Sequence, residues 1–139
     1  MLQGIVFWYD YQPILNPAAF VENVRVALIK AIESELLDVL AHPTWLPEAI
    51  RPQTKRLITM DWINSVVHSA SDHDVAIEIS GAWKVPDELF VKECISTGVK
   101  LSLGSDAHDV SRIGDVAYGI NLLKQVNATS EDVFVPRHC

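Results

Sequence analysis

The sequence has few of the features that mark secreted, membrane-spanning or disulfide-rich proteins. Its 139 residues include only two cysteines, Cys94 and Cys139, which offer neither a disulfide framework nor the paired spacing of a zinc-binding motif. The apolar run at residues 5–9 is too short to cross a bilayer, and no basic leader or small-residue cleavage site accompanies it. We therefore expect a soluble, cytoplasmic protein without membrane contact.

Positive charge is also scarce. Eleven Lys and Arg residues stand against 18 Asp and Glu residues, which gives a formal net charge of -7. A sequence-independent grip on nucleic acid needs clustered basic residues, so this balance argues against a nucleic-acid partner. No repeat, low-complexity tract or linker divides the chain, and one domain covering residues 1–139 is expected.

Apolar runs that predict strands alternate with stripes that predict helices. The runs lie at residues 5–9, 38–41, 75–79 and 99–103, with a shorter one at 133–135. Capping residues mark where the helices between them begin: Asn16-Pro17, Thr59 and Pro86-Asp87. Strands that alternate with helices at this spacing imply right-handed crossovers, so the predicted fold class is α/β with a parallel sheet.

Each predicted helix has its own apolar face. The expected core residues are Val21, Val24, Leu28, Ile32 and Leu36 in the first helix, Ile63, Val66, Val67 and Ala70 in the second, Leu89, Phe90 and Ile95 in the third, and Val116, Ile120 and Leu123 in the last. Gly98 is placed to end the third helix.

Polar residues end three of the apolar runs, at the edge of a parallel sheet where ligands gather. His42 closes the run at 38–41, Glu78 lies within the run at 75–79, and Asp106 and His108 follow the run at 99–103. Residues two apart in extended chain lie on the same side, which brings Asp106 and His108 together. Imidazole and carboxylate groups at fixed strand ends are what a Zn, Mn or Fe site needs, so this edge of the sheet is the candidate place for a divalent metal ion.

Simpler interpretations stand beside this one. Residues 105–108 could form a turn with a helix cap, and His42 could be a hydrogen-bonded residue at a strand end. Glu78 could form a structural ion pair, with Lys100 as one partner, as readily as it could take part in a site. Arg112 could bind a substrate phosphate or lie solvated at the surface. Trp45, Trp62 and Trp83 are interpreted as packing residues or loop anchors rather than base-stacking residues.

Three segments together carry a family resemblance: Asp38-Val39-Leu40-Ala41-His42-Pro43, Val75-Ala76-Ile77-Glu78-Ile79-Ser80, and residues 98–108, which read GVKLSLGSDAH. In order and spacing they resemble the polymerase and histidinol phosphatase superfamily, over roughly residues 5–123.

The resemblance implies the C-terminal part of a distorted, TIM-like (β/α)7 barrel that holds metal ions and hydrolyses phosphoesters. His42, Asp106 and His108 would be metal ligands, and Glu78 would lie near the site. Where the family ordinarily has a histidine, this chain offers at most Asp10, which could substitute as an oxygen ligand or lie beside the ligands. Ser80 stands where the family usually has asparagine.

The family pattern begins with a strand bearing His-x-His and continues with further histidines and a bridging glutamate, all of which would precede Met1. We therefore expect a partial domain: either another polypeptide or a missing N-terminal segment completes the barrel, or the site is degenerate. The open strand edges of an incomplete barrel predict self-association or a partner that covers them. The predicted function is a metal-dependent phosphoesterase that uses a metal-activated water on a small phosphorylated substrate. The main alternative is a non-catalytic remnant that serves as an interaction or scaffold domain. An exonuclease-like domain of a replicative polymerase is a minor alternative that the acidic charge disfavours.

Overall fold

The computed structural model describes residues 13–136. The strand predicted at residues 5–9 and the candidate ligand Asp10 lie outside this range. The helices and strands of the described part are, in chain order, α1 (Pro17–Glu33), β1 (Val39–Leu40), α2 (Thr54–Leu57), α3 (Met60–Asp72), β2 (Ala76–Ser80), α4 (Glu88–Thr97), β3 (Leu101–Gly104) and α5 (Ala117–Gln125). Short 3-10 turns lie at Arg51–Gln53, Val110–Arg112 and Ser130–Asp132.

The three strands form one parallel sheet in the order β1-β2-β3. Leu40 pairs with Ile77, and Ser80 pairs with Gly104. The predicted α/β class with parallel strands is thereby confirmed. The run at 133–135 contributes an isolated bridge between Leu101 and Val133 rather than a strand.

The chemistry predicted to begin and end the helices is in place. The side chains of Asn16, Thr59 and Asp87 accept hydrogen bonds from backbone N–H groups in the first turns of α1, α3 and α4. Gly98 ends α4 in the left-handed conformation, with φ of 79°, which glycine adopts without steric cost.

Three of the expected core residues are exposed instead. Helix α1 ends at Glu33, and Ser34 caps it by donating its hydroxyl to the Ala31 carbonyl at 2.6 Å. Leu36 therefore lies beyond the helix and is 85% exposed, so its assignment to the apolar stripe is wrong. Leu89 on α4 and Ile120 on α5 lie on helix faces that point away from the protein core, and they are 56% and 40% exposed. Their places in the core are taken by Val91 and Cys94 on α4 and by Leu122 on α5.

The core lies between the sheet and the helices packed on it. All four predicted face residues of α3 are buried, and the indole N–H of Trp62 donates to the Val21 carbonyl at 3.1 Å, which joins α3 to α1. In α5, a Cβ added to Gly119 would lie 2.5 Å from Leu103 Cδ2 and 3.3 Å from Ile79 Cγ2. The α5 backbone therefore rests directly on the sheet face formed by Ile79 and Leu103.

Strand residues alternate between the two faces of a sheet, so the neighbours of Ile79 and Leu103 point away from α5. These neighbours include Glu78 and Gly104, which belong to the candidate site. Between residues 13 and 136, no helix combines the length and the apolar character needed to cross a membrane.

Candidate metal centre at the strand ends

The ends of β2 and β3 are joined beyond the strands by main-chain hydrogen bonds. Gly81 N–H donates to the Gly104 carbonyl at 2.7 Å, and Ala82 N–H donates to the Ser105 carbonyl at 3.1 Å. A Cβ on Gly81 would overlap the Asp115 carbonyl oxygen. Glycine thus allows the segment before α5 to pack against this edge, next to the loop that carries Asp106 and His108.

Glu78 links all three strands at this edge. Its side chain lies over Gly104 on the neighbouring strand, where an added Cβ would come within 2.8 Å of Glu78 Cδ. One carboxylate oxygen accepts a hydrogen bond from the His42 backbone N–H at 3.2 Å. The ammonium group of Lys100 instead donates to the Glu131 carbonyl at 2.6 Å. Among the described residues, Glu78 is therefore bonded to the His42 backbone just beyond β1, and Lys100 is bonded elsewhere.

The structure brings His42, Asp106 and His108 together around one carboxylate. His42 Nε2 lies 3.8 Å from Asp106 Oδ2, and His108 Nδ1 lies 4.0 Å from Asp106 Oδ1. The side chains of His42 and Asp106 are 35% and 26% exposed, whereas that of His108 is 62% exposed. The arrangement places two imidazoles and a carboxylate at an edge that solvent can reach.

Two of these residues have an unusual backbone conformation. The φ angle is 28° at His42 and 47° at Asp106, in a region that side-chain-bearing residues enter at a cost of about 1–3 kcal/mol. Local hydrogen bonds hold His42 in place, since its N–H donates to Glu78 and its carbonyl accepts from Trp45 N–H at 3.0 Å.

The donor atoms suit a metal ion in kind but form only part of a ligand set. Within the range 13–136, no three His, Cys, Asp or Glu side chains are gathered closely enough to hold a metal ion. His108 Nδ1 lies 2.9 Å from the Asp106 carbonyl, which favours the tautomer with the proton on Nδ1 and the lone pair on Nε2. A complete centre would need a different orientation of the His108 side chain, further donors from outside this range, or both.

The segment after His108 is organised by its own polar contacts. The backbone N–H and the hydroxyl of Ser111 both donate to the Asp109 carboxylate, and these bonds lower the pKa of Asp109. Arg112 donates to the Asp115 carboxylate at 3.2 Å, and both side chains are exposed. The role of Arg112 in phosphate binding stays a prediction. To bind a substrate phosphate, the guanidinium of Arg112 would have to release the Asp115 carboxylate.

One feature near the site was not foreseen. The rings of Trp45 and Trp83 meet edge to face, with their centroids 5.5 Å apart, and the guanidinium carbon of Arg51 lies 5.6 Å and 5.4 Å from the two centroids. The sequence contained a signal for the pair, because Trp45 follows His42 and Trp83 follows Ser80 at the same offset of three residues. No sequence pattern of this kind pointed to Arg51.

No family model and no curated protein matches this sequence.

Proposed function

We propose that this chain is the C-terminal part of a metal-dependent phosphoesterase barrel, with His42, Asp106 and His108 as ligands to divalent zinc, manganese or iron. The observation that supports this most directly is the position of the Asp106 carboxylate, about 4 Å from imidazole nitrogens of both histidines. The ligands come from the ends of β1 and β3, and Glu78 of β2 lies between them. Ligand sites of parallel α/β proteins lie at this edge of the sheet.

A divalent ion held there would polarise a phosphoryl oxygen and supply a nucleophilic water at neutral pH. The contribution of the chain itself is to position the ligands. Glu78 holds the His42 backbone by a charge-assisted hydrogen bond, and the Asp106 carbonyl sets the tautomer of His108. We propose Asp10 as an additional oxygen donor and a small phosphorylated molecule as the substrate.

The remaining ligands and strands would come from a second copy of the chain, from a partner or from a segment N-terminal to this sequence. The three strands within residues 13–136 are too few to close a barrel, and in that range β1 pairs with β2 alone. An edge strand that stays unpaired favours pairing with another chain. Light scattering is expected to show an oligomer, and a monomer at every concentration tested would contradict this part of the proposal.

Metal retention and hydrolysis of p-nitrophenyl phosphate test the catalytic proposal. The full chain is loaded with manganese or zinc, desalted and analysed for metal, beside the variants His42→Ala and Asp106→Asn. Each variant is expected to weaken metal binding at least about tenfold, because a ligand is lost, and to lose turnover in parallel. His68→Ala is the matched control, since His68 lies on α3, with its imidazole 3.9 Å from Glu93 and 63% exposed.

Retention of metal and activity in His68→Ala, with loss of both in the two ligand variants, would support the proposal. A native chain that neither retains metal nor cleaves the ester would contradict it. Equal losses in His68→Ala would contradict it as well, because they would indicate a general effect on folding.

A second candidate function is a non-catalytic scaffold domain. It is favoured by the absence, within residues 13–136, of three gathered metal-binding side chains. This candidate predicts a folded, stably associated chain that binds no metal, and the same metal analysis separates the two.

A further inference from the structure

We infer that Arg51, held against Trp45 and Trp83, is an anion-binding residue that receives a phosphate group. The choice of phosphate over other oxyanions rests on the proposed function. The inference that Arg51 binds an anion rests on the contacts of its guanidinium group.

Arg51 differs from the other arginines between residues 13 and 136 in what its guanidinium contacts. Arg25 is paired with Glu22, Arg112 is paired with Asp115, and Arg56 donates to the Gln53 side chain. Within that same range, no carboxylate lies within 4.0 Å of the Arg51 guanidinium. Its described hydrogen bond runs from Nε to the Leu46 carbonyl at 3.0 Å. The positive charge of Arg51 is therefore not neutralised by a described acidic side chain.

The surroundings of Arg51 fix its orientation. Two indole rings lie within 6 Å of its guanidinium carbon, a distance at which a cation is attracted to the ring face, and the bond from Nε restrains the stem. The residue as a whole is exposed. An arginine held in this way loses little conformational freedom when it binds, and its terminal nitrogens form a fork that matches two oxygens of a phosphate group.

The cluster lies on the loops that carry the candidate metal ligands. Trp45 N–H donates to the His42 carbonyl at 3.0 Å, and Trp83 N–H donates to the Ser80 hydroxyl at 3.3 Å. The backbone of each tryptophan is thus bonded to a residue at a strand end: His42 lies two residues beyond β1, and Ser80 is the last residue of β2. An anion bound by Arg51 would lie at the same edge of the sheet as His42 and Asp106.

Inorganic phosphate is the probe for this inference. It is titrated at constant ionic strength into the full chain kept metal-free with a chelator, and binding is followed by tryptophan fluorescence and by calorimetry. A saturable fluorescence change is expected because Trp45 and Trp83 contact Arg51, whereas Trp62 is buried and bonded to Val21. Acetate at the same ionic strength is expected to give a much weaker response.

Variants assign the binding to Arg51. Arg51→Met keeps much of the stem and is expected to raise the Kd for phosphate at least about tenfold, as loss of a charge-assisted hydrogen bond implies. Arg51→Lys keeps the charge but loses the fork, so intermediate binding is expected even if the Met variant folds poorly. Arg56→Gln is the matched control, since Arg56 is also exposed but donates to Gln53, and it is expected to bind phosphate normally.

The inference is wrong if phosphate does not bind the metal-free chain, if Arg51→Met and Arg51→Lys bind it as well as the native chain, or if acetate binds equally well. Its failure is distinguishable from failure of the proposed function. Metal-dependent hydrolysis without phosphate binding at Arg51 would overturn this inference alone. Phosphate binding through Arg51 in a chain that retains no metal would overturn the catalytic proposal alone.

Discussion

Gly104 and Glu78 share one small space on the sheet, and the substitution Gly104→Ala tests whether the Glu78 carboxylate fixes the end of β1. The added methyl group would overlap Glu78 Oε1 and lie 2.8 Å from Cδ and 3.2 Å from Cγ. The side chain of Glu78 can rotate away, but it then loses its hydrogen bond to the His42 N–H.

Two opposing terms set the magnitude. A hydrogen bond to a charged group contributes about 1.5–3 kcal/mol, and the 3.2 Å separation at His42 places this one near the lower end. Replacing glycine by alanine within a strand stabilises by about 0.5–1 kcal/mol. Gly104→Ala is therefore expected to lower the free energy of unfolding by about 0.5–1 kcal/mol. In a Glu78→Ala background the overlap is gone, and the same substitution is expected to stabilise by about 0.5–1 kcal/mol.

Urea unfolding of the native chain, both single variants and the double variant completes the cycle, and the coupling energy is expected to be about 1.5 kcal/mol. Gly119→Ala is the control, because its methyl group would meet Leu103 and Ile79 rather than Glu78. That control is expected to change stability equally in both backgrounds. The reasoning is refuted if Gly104→Ala also has the same effect with and without Glu78.

Two further predictions concern the α4 region. Gly98→Ala is expected to lower the free energy of unfolding, measured in urea, by about 1–2 kcal/mol, which is the cost of the left-handed conformation for a residue with a side chain. The φ angle of Gly98 is 79°, and a Cβ there would meet nothing within 4 Å, so the cost would come from the backbone and not from a clash. An unchanged urea midpoint would contradict this prediction. Burial raises the pKa of the Cys94 thiol well above its ordinary value of 9.0, so the thiol stays protonated when folded but ionises when unfolded. Cys94 is therefore expected to lower the stability by up to about 1.4 kcal/mol for each pH unit above about 9, a contribution that should be absent in Cys94→Ala.

The sequence was most informative where the structure depends on residues that are close together in the sequence. Asn16, Thr59, Asp87 and Gly98 act within one helical turn, so the helix boundaries at these residues followed from local chemistry. The exposure of Leu36, Leu89 and Ile120 did not follow. An apolar stripe shows which residues share a helix face, but the end of the helix and its rotation against the sheet depend on tertiary packing.

The candidate site was predictable to a similar extent. Parallel strands bring their carboxyl ends to one edge, and this rule, together with the family resemblance, predicted that His42, Asp106 and His108 would lie together. The contact of Glu78 with the His42 backbone required the register of β1 against β2. The position of Arg51 between two tryptophans depends on loops that follow different strands, and no local pattern encodes it.

The bonds from Gly81 to Gly104 and from Ala82 to Ser105 run from main chain to main chain. The link between the ends of β2 and β3 is therefore made without any side-chain hydrogen bond. Such a link can stay in place when the side chains that follow it are changed, which makes positions 106 and 108 suitable for protein engineering. Other metal-binding side chains could be introduced there by substitution while the geometry of the loops is kept.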